Sequence, residues 1–124
     1  MKTYSVAVVG RRPWTTNQER KKGSHYQRSI ITKWWRENFK AAAEEAGIPH
    51  FDSIKIEVTP ILPDRKMQDT GACYPTAKAA IDGLVDAGVV DDDAPKYVTT
   101  ITFHAPVIFK GKQGLEILII PEQS

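Results

Sequence analysis

The pattern of apolar residues along this 124-residue chain predicts an α+β domain: a mixed four-stranded sheet with two packed helices, in the order β-α-β-α-β-β. Three observations lead there. Four short runs rich in β-branched residues read as strands, two stretches repeat their apolar residues at helical spacing, and Gly- and Pro-bearing turns separate them. The length suits one domain, residues 1–124, and a chain of this size can bury roughly 65% of its unfolded surface.

The first strand is Tyr4 to Val9, a short apolar run closed by Gly10. Arg11 to Arg28 has no periodicity and reads as a long basic loop, of a kind that usually has a function. Trp14, His25 and Tyr26 lie among its arginines, where aromatic rings can stack on unpaired bases, although a tryptophan there can equally fold onto the core. Ile31, Trp35, Phe39, Ala42 and Ala46 then mark a helix. Ser29 or Thr32 can cap its start, and Gly47 followed by Pro49 supplies the stop. Trp34 and Trp35 cannot face the same way, so one belongs to the core and its neighbour covers another surface.

Ile54, Ile56 and Val58 alternate with polar residues as a half-buried strand, and Pro60 suggests that strand's end or an edge position. Pro75 fits the first turn of a second helix, whose apolar face is Ala77, Ile81, Leu84 and Val85. Gly83 costs that helix about 1 kcal/mol, and Gly88 can end it in the left-handed conformation. Two more strands follow, about Tyr97 to His104 and Leu115 to Ile120, joined through a turn at Lys110–Gly114.

Charge is divided unevenly. Met1 to Lys40 carries ten basic and two acidic side chains, a balance of +8, while the remainder carries seven basic and thirteen acidic, a balance of −6. Such asymmetry suggests a polyanionic partner. Cys73 is the only cysteine, so no internal disulfide can form and a reducing compartment is expected. No apolar run approaches 18 residues and no signal-like segment opens the chain, so a cytoplasmic protein without a membrane partner is expected.

The acidic half holds the most informative pattern. Asp69 and the triplet Asp91-Asp92-Asp93 bracket the helix carrying Lys78. Carboxylates near a lysine suit a hard divalent cation acting on a phosphate, because Mg²⁺ prefers oxygen ligands and is usually held by one or two carboxylates plus substrate oxygens. Acidic residues after a helix are equally common as a solvated turn, and Lys78 could simply pair with Asp82 at i,i+4. The three histidines show no zinc-ligand spacing, and no Gly-rich phosphate loop is present.

Pro63-Asp64-Arg65, then Asp69, then Lys78-Ala-Ala-Ile-Asp82-Gly-Leu-Val-Asp-Ala87-Gly88, then Asp92-Asp93-Ala94 resemble the RusA family of Holliday junction resolvases, common in phages and prophages. The resemblance covers most of the chain loosely and residues 69–94 specifically. It implies a homodimeric, Mg²⁺-dependent endonuclease that cuts four-way DNA junctions, with Mn²⁺ able to substitute, in the cytoplasm of a bacterial or phage-infected cell. Carried over by motif, Asp69, Lys78 and Asp93 are the expected catalytic residues, and Asp69, Asp92 and Asp93 the expected metal ligands. Arg11, Arg12, Asn17, Arg20, Lys21, Lys22, Arg28, Arg65 and Lys66 are the expected DNA contacts. One departure stands out: the family places a second aspartate two residues after the first, where this chain has Gly71, and about three extra residues separate Asp69 from Lys78. The expected function is therefore structure-specific cleavage of branched DNA in recombination and repair. The alternative is a catalytically degenerate DNA-binding protein that keeps the fold and the basic arm.

Overall fold

A computed structural model describes residues 2–19, 25–65 and 68–122. The elements run β1 (Tyr4–Val9), α1 (Thr16–Glu19), α2 (His25–Glu45), β2 (Ser53–Leu62), α3 (Tyr74–Asp86), β3 (Val98–Phe103), β4 (Val107–Ile108) and β5 (Gly114–Glu122). The α+β class and the mixed sheet are as expected, with the two-residue β4 as a fifth strand. The basic stretch is less irregular than expected. A capping box builds α1: the Thr15 N–H donates to Gln18 Oε1 at 2.9 Å, and the Gln18 N–H donates back to Thr15 Oγ1 at 3.4 Å. Helix α2 begins at His25 rather than at Ser29 or Thr32, because extending a helix already anchored by Trp35, Phe39 and Ala43 costs far less than nucleating one.

The sheet order is β1-β5-β2-β3. β5 pairs antiparallel with both β1 and β2, whereas β3 and then β4 run parallel to β2 along its other side. A parallel pair needs a crossover connection, and α3 provides it. Alternate residues of the strands (Val6, Val8, Ile54, Ile56, Val58, Leu115, Ile117 and Ile119) point to one face, where Trp35, Phe39, Ala77, Ala80, Ile81 and Leu84 of the two helices cover them. On the opposite face Ser5, Ala7, Lys55 and Glu116 are exposed. Trp35 is fully buried, and Trp34 meets it edge-on with ring centroids 4.9 Å apart, so the two tryptophans divide as expected. Among the described residues no helix is long and apolar enough to cross a membrane.

Pro60 is neither at the end of β2 nor on an edge strand, contrary to expectation. Even-numbered residues of β2 direct their backbone toward β3 and β4: the Ile54 N–H donates to the Tyr97 carbonyl, and the carbonyls of Val58 and Leu62 accept from His104 and Phe109. The donor that Pro60 lacks would point into the gap between Phe103 and Val107, where β3 has ended and β4 has not begun. Proline is tolerated in this inner strand because the ladder is interrupted at that residue.

Gly83 has a similar explanation. A Cβ there would lie 2.4 Å from the Arg36 carbonyl oxygen, so the glycine is what allows α2 and α3 to touch backbone to backbone. Arg36 and Asp86 clamp the same contact with two parallel hydrogen bonds of 2.6 and 2.9 Å. The Arg36 guanidinium holds the Asp86 carboxyl below its usual range. A carboxylate with a lowered folded pKa adds stability that is fully present above the unfolded pKa of 3.8 and is lost as pH falls through the folded value. The pair is part-exposed, so Asp86→Asn should cost about 0.2–1 kcal/mol at pH 7. In urea denaturation that difference should shrink steadily below pH 4; a cost that persists at pH 2 would mean that the ion pair is not its source.

A candidate active site at the head of the third helix

The segment before α3 is a tight turn: the Ala72 N–H donates to the Asp69 carbonyl at 2.9 Å, and the Tyr74 N–H to the Gly71 carbonyl at 3.2 Å. Pro75 then occupies the first helical turn, as expected, and the Asp69 side chain is exposed. This turn is joined to the basic loop by three side chains. Gln68 Nε2 donates to the Pro13 carbonyl (3.1 Å), Thr76 Oγ1 donates to the Trp14 carbonyl (2.8 Å), and Thr16 gives both its N–H and its hydroxyl to the Ala72 carbonyl (3.0 and 3.2 Å). Gln68 and Thr76 are the buried polar side chains among the described residues, and both are spent on this junction. The loop beginning at Arg11 and the turn bearing Asp69 are therefore held side by side.

Lys78 lies one turn into α3, and its ammonium is in direct contact with the Asp93 carboxylate. The contact depends on the loop after α3 folding back along the helix. Val89 and Val90 are buried there, and the Val89 carbonyl accepts from the Phe51 N–H at 2.8 Å. Asp91 is not merely solvated: it meets His50 Nε2 at 3.0 Å, so the acidic loop is held at two points. Lys78 thus takes Asp93 rather than Asp82 as its partner.

The expected metal ligands are not assembled. Among the described residues no group of three or more His, Cys, Asp or Glu could hold an ion. Asp69 and Asp92 are exposed, and Asp93 is neutralised by Lys78. Asp69, Asp92 and Asp93 are thus not gathered into one three-carboxylate group among the described residues. Gly71, at the position of the missing aspartate, has φ +85° with nothing within 4 Å of a built Cβ. An aspartate would have room there, but only in a left-handed backbone that side chains rarely adopt.

Of the expected DNA contacts, Arg11 stacks over the Trp34 ring at 5.2 Å and Arg12 pairs with Asp64 at 3.6 Å. Arg65 is exposed in the bend after β2, and Arg28 is part-exposed on α2. Asn17 lies in α1, its side chain outside the described residues; Arg20, Lys21, Lys22 and Lys66 lie outside them altogether. Trp14 is buried rather than displayed for stacking, whereas Tyr26 is 77% exposed. Pattern reasoning missed the joining role of Gln68 and Thr76, since an isolated Gln or Thr carries no signal of its partner. The Thr15–Gln18 capping box was readable from its spacing.

Cys73 is buried at the start of α3, and burial pushes its thiol up to about 11. It stays protonated near neutrality and is a poor nucleophile or soft-metal ligand. At pH 8 the native protein should react with a disulfide reagent at least about a hundredfold more slowly than the unfolded chain; comparable rates would show an accessible thiolate.

No protein-family model matches this chain, and no curated protein matches it as a relative.

Proposed function

We propose that the protein binds branched DNA and hydrolyses phosphodiester bonds in it, as a RusA-like Holliday junction resolvase. The observation that supports this reading is the junction between the Arg11–Thr16 loop and the Gln68–Thr76 turn, which joins the loop bearing Arg11 and Arg12 to the turn bearing Asp69, ahead of the helix that carries Lys78. Backbone phosphates bound by Arg11 and Arg12 would bring a neighbouring phosphate to the head of α3. There Lys78 is the cation available to offset charge developing on the phosphoryl oxygens. Asp93 keeps Lys78 in place in the free protein. Mg²⁺, or Mn²⁺ in its stead, belongs to this reading: Asp69, Asp92 and Asp93 are the carboxylates that would hold it, and it would supply Lewis acidity at the phosphate. Cutting a two-fold symmetric junction on both sides calls for a homodimer.

A second reading is a DNA-binding protein that does not cleave. It is favoured by one observation, that no group of three carboxylates is assembled among the described residues.

A labelled synthetic four-way junction separates the two. On the first reading it is cut in millimolar Mg²⁺ or Mn²⁺, and Lys78→Ala or Asp93→Asn lowers the cleavage rate by at least about a hundredfold while junction binding persists. Binding without cleavage under either metal supports the second reading. Arg11→Gln and Arg12→Gln should each flatten the dependence of log affinity on log salt by up to about 0.9 on duplex arms. An unchanged slope would remove these arginines from the phosphate path.

A further inference from the structure

Helices α2 and α3 both lie on one face of the sheet, and the opposite face is exposed. Parallel strand pairs are ordinarily covered on both faces, and an open face of antiparallel strands ordinarily carries polar side chains. Half of this face obeys that rule, with Ser5, Lys55 and Glu57 turned outward. The other half does not. Val9, Val107 and Phe109 are 53%, 48% and 55% exposed there, and with the part-exposed Ile61 they line a cleft of about 390 Å³. Two opposite charges stand in its wall, Lys112 and Glu116. They do not pair with each other. The Lys112 ammonium lies 4.7 Å from the centre of the Phe109 ring, and Glu116 meets no cation among the described residues. An exposed apolar patch rimmed by polar groups marks a surface that meets another molecule.

We propose that this half of the open face is where two copies of the chain meet, sheet against sheet, about a two-fold axis. Sheets pack face to face about 10 Å apart through interleaved apolar side chains, and Val9, Val107 and Phe109 supply such side chains. The charges identify the occupant. A nucleic acid asks for a surplus of cations, and a strongly charged protein asks for a surplus of one sign; this wall offers one of each. Two-fold pairing makes the patch its own complement, with Lys112 of each copy against Glu116 of the other. The proposal deepens the branched-DNA reading, and rests on it for the purpose of the homodimer, by naming the surface that joins the two chains. The helix layers then lie outermost, so the interface leaves the Lys78–Asp93 pair uncovered.

Sedimentation velocity of the full chain should show a dimer at micromolar concentration. Phe109→Asp should raise the Kd of that dimer at least about thirtyfold, the loss expected at an interface hot spot. Circular dichroism and Tm should stay near native, because the ring is exposed. Lys112→Glu and Glu116→Lys should each raise Kd at least about tenfold by setting like charges opposite one another. Mixing those two variants should give a heterodimer of near-native Kd, since each copy then carries the charges its partner lacks. That recovery does not depend on the aspartate variant folding. A native chain still monomeric at about 100 μM would overturn the proposal. So would a dimer that survives Phe109→Asp, or one that the mixture fails to restore. The labelled junction tells this failure from that of the nuclease reading: a native monomer that cuts it overturns the interface alone, and a dimer with the expected responses that neither binds nor cuts it overturns the branched-DNA reading alone.

Discussion

Trp14, Thr76, Gln68 and Ala72 form the contact on which the arrangement of this molecule depends. A loop leaving an edge strand ordinarily satisfies its backbone with water, and its position is set by little else. Here three carbonyl groups, those of Pro13, Trp14 and Ala72, are instead bonded across the gap between two parts of the chain more than 50 residues apart. Each bond is worth only about 0.5–1.5 kcal/mol net. Breaking one by truncating a buried partner costs more, because the remaining group is left without water. The geometry is thus held less by attraction than by the penalty for leaving it.

The acidic loop after α3 is governed by a different balance. Its burial of Val89 and Val90 is apolar, whereas its outer contacts, a hydrogen bond between Asp91 and His50 and an ion pair between Asp93 and Lys78, are polar and part-exposed. The apolar contacts decide where the loop runs; the polar contacts decide how its carboxylates point. Exposed pairs of this kind are weak and screened by salt. Lys78 and Asp93 can therefore exchange partners when a stronger anion or cation arrives, without the loop itself being displaced.

Much of this was legible in the sequence because the apolar periods are clean. Val6 and Val8, Ile54 to Val58, and Ile81 and Leu84 fall on the faces their spacing assigns. Pro75, Gly47 and Gly88 mark helix boundaries through conformations that few residues adopt, so their meaning is local and readable. What was not legible depends on partners distant in the chain. Pro60 reads as an edge residue until the interruption between β3 and β4 is known. Gly83 reads as a flaw in a helix until α2 is placed against it. At the site, Lys78 pairs with Asp93, a contact that spacing did not announce, while among the described residues Asp69, Asp92 and Asp93 do not form one group of three.

The interruption opposite Pro60 has an evolutionary consequence. A central strand usually constrains its neighbours residue by residue, since any insertion leaves a donor on it unpaired. β2 has no donor to offer at that one level, so the chain between Phe103 and Val107 can lengthen or shorten without cost to the strand beside it. The sheet carries a site where new sequence can be accommodated, at the carboxyl end of β3. There Phe103 packs against Tyr74, the first residue of α3. Variation admitted at that break would alter the surroundings of the helix head while leaving the core of the domain untouched.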